Sequence, residues 1–237
     1  MQRVDVAFLV AMDEEIEGSF DLGEWTAAGA KPFDVYEYSA GTRGVRSVIV
    51  HTGIGTTNAA AAAQFTLDQF RPHRIVNLGL VGCLDTAIGI GTVHRVERCA
   101  FFDVDATVFG YKIGQIPRTS VTEYELAGRV PGVGVPGVPL ARLISGDTFI
   151  TDSSAFHPDL AGFAAELVDM ELAAIAHTLY RNEALGLLES YKSPSDYCND
   201  ASTDAFDLNM PKALASLAVV ADAVLRGEGD DGSGRHA

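Results

Sequence analysis

"RSVIVHTGIGTTNAAAAAQFTLDQFRPHRIVNLGLVG", residues 46–82, is the stretch on which the fold turns. It opens with a short apolar run, passes a Gly turn with Thr residues suited to capping a helix, and becomes an Ala-rich segment that ends before Arg71-Pro72-His73. A second apolar run over 74–82 reads as a buried strand. Working outward, "VDVAFLV" (4–10), "DVYEYSA" (34–40), "TVHRVERCAFFD" (92–103), "PLARLISGDTFI" (139–150) and "LGLLESYKS" (185–193) also read as strands, the second joined to 46–52 by the turn "AGTRG" (40–44). Helices are expected at about 158–166, through "ELVDMELAAIAHTLYRNE" (166–183) and over roughly 211–226. The Gly/Pro-rich "GRVPGVGVPGVP" (128–139) reads as a surface loop and "GEGDDGSGRHA" (227–237) as a disordered tail. No repeat or linker divides the chain. Residues 1–226 are therefore expected to form one α/β domain, a mostly parallel sheet with helices on both faces.

Composition narrows the function. The 237 residues are 47% hydrophobic, enough to bury a substantial core. Seventeen Lys and Arg against 32 Asp and Glu give a net charge of −15, a field that repels phosphate backbones and anionic lipid surfaces. Neither nucleic acid nor membrane is an expected partner. Three cysteines, Cys83, Cys99 and Cys198, are odd in number and lack CxxC spacing, which suggests reduced thiols in a cytoplasmic protein. A strand begins near the N-terminus with no basic leader before it, and no stretch is expected to span a membrane.

In doubly wound folds ligands sit beyond the carboxyl ends of the strands. Five segments occupy such places: "AMDEE" (11–15), "TGIG" (52–55), "GLVGC" (79–83), "SGDTFI" (145–150) and "SPSDYCND" (193–200). Three hold acids and none holds Lys or Arg. "GIGTTN" has Asn58 where a dinucleotide fingerprint needs its third Gly, and no Walker Gly-Lys-Ser/Thr occurs. Histidines 51, 73, 94, 157, 177 and 236 show no metal-ligand spacing, and "DVD" (103–105) alone is too short for a metal site. Ser145 lacks the Gly-x-Ser-x-Gly elbow of an acyl-transfer nucleophile. No metal or other cofactor is expected, and what remains is carboxylate chemistry.

Six segments, "AMDEE", "TGIG", "DVDATVFGYKIGQIP", "SGDTFI", "VDMELAAIAH" and "SPSD", resemble in order and spacing the signatures of bacterial 5'-methylthioadenosine/S-adenosylhomocysteine nucleosidases, a branch of the purine nucleoside phosphorylase superfamily. The resemblance runs from about residue 4 to about 225. It implies a single-domain nucleoside phosphorylase-like fold, with a twisted, mixed and partly barrel-like sheet flanked by helices, usually as a homodimer binding a small purine nucleoside. It further implies that Glu15 activates the attacking water, Glu171 binds the ribose hydroxyls and Asp196, beside Ser195, protonates the purine. Phe149 would stack on the base, the Ile150 backbone would meet the purine edge and Phe206 would close that side. Met12, Ile54, Met170 and position 80 fall around the sugar, while Phe109, Tyr111 and Pro117 would shape the 5'-substituent pocket, some across the dimer interface.

The residue types suit the reaction. Cleaving an N-glycosidic bond builds positive charge on the ribosyl ring and negative charge on the departing base, so the sugar wants carboxylates and the base wants a proton. Glu15 is then the ionised member of a divided pair, and Asp196 must hold or share a proton when it acts. By position alone the residues read more plainly: Asp13, Glu14 and Glu15 as helix-starting acids, Asp196 as a turn residue after Pro194, Phe206 as core, His177 as packing near its helix end, and Cys83 and Cys198 as small buried residues. Glu171 on an Ala/Ile/Leu-rich helix is already a functional candidate, because a buried unpaired carboxylate is costly.

Four positions depart from the family pattern: Leu80 replaces a Ser near the ribose, Cys83 replaces a Gly, Lys192 stands in an Arg position, and Pro194 precedes Ser195. The site segments offer no Arg to hold a phosphate dianion, which favours water over phosphate as nucleophile. A phosphate-dependent phosphorylase and a catalytically impaired nucleoside binder are the alternatives.

Overall fold

The computed structural model describes residues 3–29, 31–38, 45–126, 134–152, 156, 158–199 and 202–227. The expected turn at 40–44, the 128–133 part of the Gly/Pro connection and residues 228–237 of the expected tail lie outside the described residues.

The opening stretch folds as read: β4 (Ser47–His51), α2 (Thr56–Phe70) and β5 (Arg74–Cys83). β4 and β5 are not neighbours, however. β1 (Val6–Val10) lies between them and runs parallel to both, and all five of its residues are buried, which is why it reads as unbroken apolar sequence. α2 packs through Ala59, Ala62, Ala63 and Thr66, a helical spacing of small residues, and ends where Arg71 turns left-handed just before Pro72. β3 (Asp34–Tyr38) and β2 (Trp25–Ala27) extend the sheet antiparallel beyond β4.

On its other side the sheet closes on itself. β5 pairs parallel with β10 (Leu188–Asp196), β10 antiparallel with β6 (His94–Phe101), β6 parallel with β8 (Leu140–Ser145), β8 parallel with β9 (Leu167–Asp169), and β9 antiparallel back to β5. These five strands form a barrel-like ring, and the short β7 (Tyr124–Glu125) pairs with β6. The mixed, partly barrel-like sheet expected from the resemblance is thus present. β5 serves both halves, since Arg74–Asn77 face β1 whereas Gly82 and Cys83 face β9. Helices α2 and α3 (Leu172–Arg181) cover one region, and α1 (Asp13–Ser19) packs against α4 (Ser202–Leu225) over another. There Phe8, Phe20 and Trp25 meet edge to face, with Phe8 and Phe20 centroids 5.1 Å apart.

Several expected boundaries move. The stretch 166–183 is not one helix: Leu167–Asp169 forms β9, buried between β8 and β5, and α3 starts only at Leu172. Asp169 makes the break, its Oδ1 accepting the N–H groups of Glu171 and Leu172 at 3.2 Å each. The helix expected at 158–166 is a short 3-10 segment, Pro158–Phe163. α4 begins at Ser202 rather than near 211 and carries Pro211 inside it on an exposed face, where one lost backbone hydrogen bond is tolerated. The expectation that no stretch matches a membrane span is also corrected. Thr203–Leu225 is long and apolar enough on length and composition, with mean hydropathy 1.4, yet it packs on β10, β5 and α1.

Candidate active site

The five strand-end segments converge on one cavity of about 270 Å³. β1 and α1 deliver Ala11, Met12 and Glu15; the β4–α2 turn delivers Ile54; β5 delivers Leu80, Val81 and Gly82. The turn after β8 contributes Thr148, Phe149 and Ile150, the β9–α3 junction Val168 to Glu171, and the end of β10 Ser195, Asp196 and Cys198. Phe206 reaches in from α4.

Of the three adjacent acids that start α1, Asp13 and Glu14 are exposed and Glu15 is buried. Its Oε2 accepts the N–H groups of Ala11 (3.1 Å) and Met12 (3.2 Å), and its Oε1 accepts that of Leu80 at 2.7 Å. Three backbone donors from two strand ends thus fix one carboxylate. Gly79 must be bare for this, because a Cβ there would stand 2.9 Å from Glu15 Oε1 and 3.2 Å from Lys192 Nζ. Burial pushes the Glu15 carboxyl above its ordinary range, against the pull of Lys192 and the three N–H groups.

Glu171 stands at the cap position just before α3, and its Oε1 accepts the Gly55 N–H at 3.0 Å. Gly55 adopts φ +101°, which lets the backbone turn its N–H inward. Burial, and then the neighbouring Asp169 carboxylate, raise the Glu171 carboxyl to about 7 despite Lys192 and the Gly55 N–H. Asp196 is 2% exposed and accepts the Cys198 N–H on Oδ1 (2.9 Å) and the Ser195 hydroxyl on Oδ2 (3.2 Å). Asn209 of α4 donates to the Ser195 carbonyl at 2.9 Å, holding the end of β10 in place.

Beneath the acids lies a buried cation. Lys192 Nζ is 2.8 Å from Asp169 Oδ2, and both side chains are almost wholly enclosed. Asp169 also accepts the Ser145 hydroxyl at 2.6 Å. Burial alone would drive the Lys192 ammonium down, but Asp169, Glu171 and Glu15 outweigh it and hold the group above its ordinary value. The site therefore contains one ammonium already engaged by one acid, with Glu15 and Glu171 left to face the cavity. Among the described residues no Arg or Lys lines it.

The remaining walls are apolar. The Phe149 and Phe206 rings stand edge to face with centroids 6.3 Å apart and form one aromatic wall of the cavity. Phe149 is 47% exposed and Ile54 50%, placing both at the mouth. Eleven of the fourteen expected positions thus come together. Phe109, Tyr111 and Pro117 do not line this cavity; Phe109 is 80% exposed at the end of the 3-10 turn Thr107–Phe109.

Sequence reading missed Asp169, Thr148, Cys198 and the engagement of Lys192. A signal existed for Lys192, since a lysine within an otherwise buried strand demands a partner acid. Leu80 reaches the cavity in place of a hydroxyl, but the contact that matters for Glu15 is made by its backbone N–H. Cys83 is buried and does not line the cavity, its Sγ lying 3.1 Å from the Asp85 carbonyl. Cys198 does line it, left-handed at φ 52°. Burial pushes its thiol up to about 12 and the Cys83 thiol to about 11, so both are held protonated. His177 packs as expected, 2.7 Å through Nδ1 from the Tyr124 hydroxyl.

Comparison with known proteins agrees with this geometry. The phosphorylase superfamily profile matches residues 5–226. A 5'-methylthioadenosine/S-adenosylhomocysteine nucleosidase of Lysinibacillus sphaericus is 30% identical, over 90% of this chain and 99% of the relative. One from Staphylococcus carnosus is 31% identical, over 89% and 94%. The Neisseria meningitidis nucleosidase, solved with methylthio-immucillin-A, superposes with TM-score 0.80 at 27% identity, covering 94% of this chain and 99% of that one. The futalosine hydrolase of Helicobacter pylori shares the fold at TM-score 0.81 with 16% identity. Strand ends that gather buried acids, and relatives matched nearly end to end, lead to one assignment: the chain belongs to the 5'-methylthioadenosine/S-adenosylhomocysteine nucleosidases, N-glycosyl hydrolases of the phosphorylase superfamily.

Proposed function

We propose that the protein hydrolyses the N-glycosidic bond of 5'-substituted adenine nucleosides and releases adenine. The observation that carries this is the set of three buried carboxylates, Glu15, Glu171 and Asp196, brought from separate segments to one cavity beside an aromatic wall. The base stacks on Phe149, with Phe206 closing that side and the purine edge toward the Ile150 backbone, and Asp196 gives a proton to the purine. Glu171 takes the ribose hydroxyls. Glu15 orients water and accepts its proton as the oxygen bonds to the anomeric carbon and the bond to the base breaks. Three backbone N–H donors hold the Glu15 carboxylate at the cavity wall, where it can take that proton. The surplus of negative charge facing the sugar favours an oxocarbenium-like state and disfavours a phosphate dianion.

Phe109, Tyr111 and Pro117 are assigned to the 5'-substituent pocket as completed by a second copy of the chain. The exposure of Phe109, at 80%, supports that placement.

The deciding experiment incubates the protein with methylthioadenosine, S-adenosylhomocysteine, adenosine and inosine, with and without phosphate, and identifies base and sugar by chromatography. Adenine and a free ribose from a 5'-thio nucleoside, without phosphate, are expected. Strict phosphate dependence would establish a phosphorylase instead, and tight binding without product a nucleoside binder. Glu15→Gln and Asp196→Asn are each expected to lower turnover by about two orders of magnitude or more with the fold intact.

A further inference from the structure

Asp147 has no part in the chemistry above, yet it joins the two edges of the cavity mouth. It lies in the turn after β8, directly before Thr148 and Phe149, which line the cavity. Its Oδ1 accepts the Thr56 N–H at 2.6 Å and its Oδ2 accepts the Thr56 hydroxyl at 2.5 Å. Its own N–H donates to Asp103 Oδ2 at 2.8 Å. Across the mouth, Thr56 begins α2 and follows Gly55, whose N–H meets Glu171.

Gly55 stands at the cap position of α2 and has no side chain, so the cap comes from elsewhere in the chain. Two carboxylates supply it, Asp147 on the Thr56 N–H and Glu171 on the Gly55 N–H, both at the positive end of a fifteen-residue helix. The packing is close, for a Cβ on Gly55 would lie 3.1 Å from Asp147 Oδ1. One of the two carboxylates faces solvent and the other faces the cavity.

We infer that Asp147 is a positioning residue for the nucleosidase reaction: its grip on Thr56 fixes both the loop that carries Phe149 and Ile150 and the Gly55 N–H that holds Glu171. The inference rests on the function proposed above. A cap that only stabilised α2 would leave substrate affinity untouched.

The test compares the unaltered protein with Asp147→Ala, Asp147→Asn and Thr56→Val, using steady-state kinetics on the nucleoside it cleaves, thermal unfolding, and amide hydrogen exchange over 53–58 and 145–150. Asp147→Ala is expected to raise KM about tenfold or more with a smaller fall in kcat, and to speed exchange in both segments. Asp147→Asn keeps an oxygen for the Thr56 N–H and is expected to recover most of the affinity, with Thr56→Val intermediate. A KM within about twofold of normal for Asp147→Ala overturns the inference. So does a loss of thermal stability with KM and kcat falling together and no recovery in Asp147→Asn. If the unaltered protein cleaves no nucleoside, the proposed function fails; the clamp is then judged by exchange alone, and unchanged exchange in Asp147→Ala overturns it.

Discussion

Glu171, a residue of the proposed site, couples stability to pH. Its folded value of about 7 lies above the ordinary 4.5, so between the two the native state keeps a proton that the unfolded chain releases. The stability that this proton confers is complete below 4.5 and is lost as pH climbs through about 7. Glu171→Gln keeps an oxygen for the Gly55 N–H but cannot ionise. The fall in Tm between about pH 5 and about pH 8 is expected to shrink in this variant while nucleoside cleavage collapses, and an unaltered pH dependence of Tm would contradict the account. Gly79→Ala would push a methyl group against both Glu15 and Lys192 and is expected to abolish cleavage with secondary structure retained, as read by circular dichroism. Glu171 stood out as an acid on an apolar helix, but Glu15 and Asp196 were legible only through six matched segments. Helix-start statistics treat Asp13, Glu14 and Glu15 alike, and what separates them is that Leu80, sixty-five positions away, offers an N–H to the third. No local pattern encodes that distance.

At the scale of elements, α1 spans seven residues, too few to persist alone, and is held by its packing on α4. The closest approach is at Gly18, where a Cβ would stand 2.8 Å from Leu214 Cβ. Gly18→Ala therefore pits a helix-propensity gain of about 1 kcal/mol against an overpacking cost of about 1–3 kcal/mol. The second is expected to win, lowering Tm by several degrees and weakening nucleoside binding, because Glu15 rides on α1; a raised Tm would refute the close contact. The unbroken apolar runs of β1 and β5 and the Ala-rich α2 were plain in the sequence. β9 was not, because three strand residues run straight into α3 and only the cap made by Asp169 divides them. β7, two residues long, and β2, three, gave no pattern at all. The helix expected over roughly 211–226 omits the first turns of α4, and Pro211 sits exposed inside a helix whose far half is anchored in the core.

For the whole molecule, the proposed pairing of two copies makes its own demand. Val108 and Phe109 are 85% and 80% exposed on one 3-10 turn, surface that a second copy would cover. Light scattering is expected to give twice 25.1 kDa, and Phe109→Glu to lower that mass and raise KM for 5'-thio nucleosides; a fully active monomer would refute the pairing. The five-strand ring has a different consequence. Gly82, Asp169 and Asp196 are wall residues of a closed hoop, and a hoop has no end from which to unzip. On warming, capacity for an adenine-like inhibitor should persist undiminished until the hoop bursts and then vanish in that single event, leaving no temperature interval in which a folded but empty-handed enzyme accumulates.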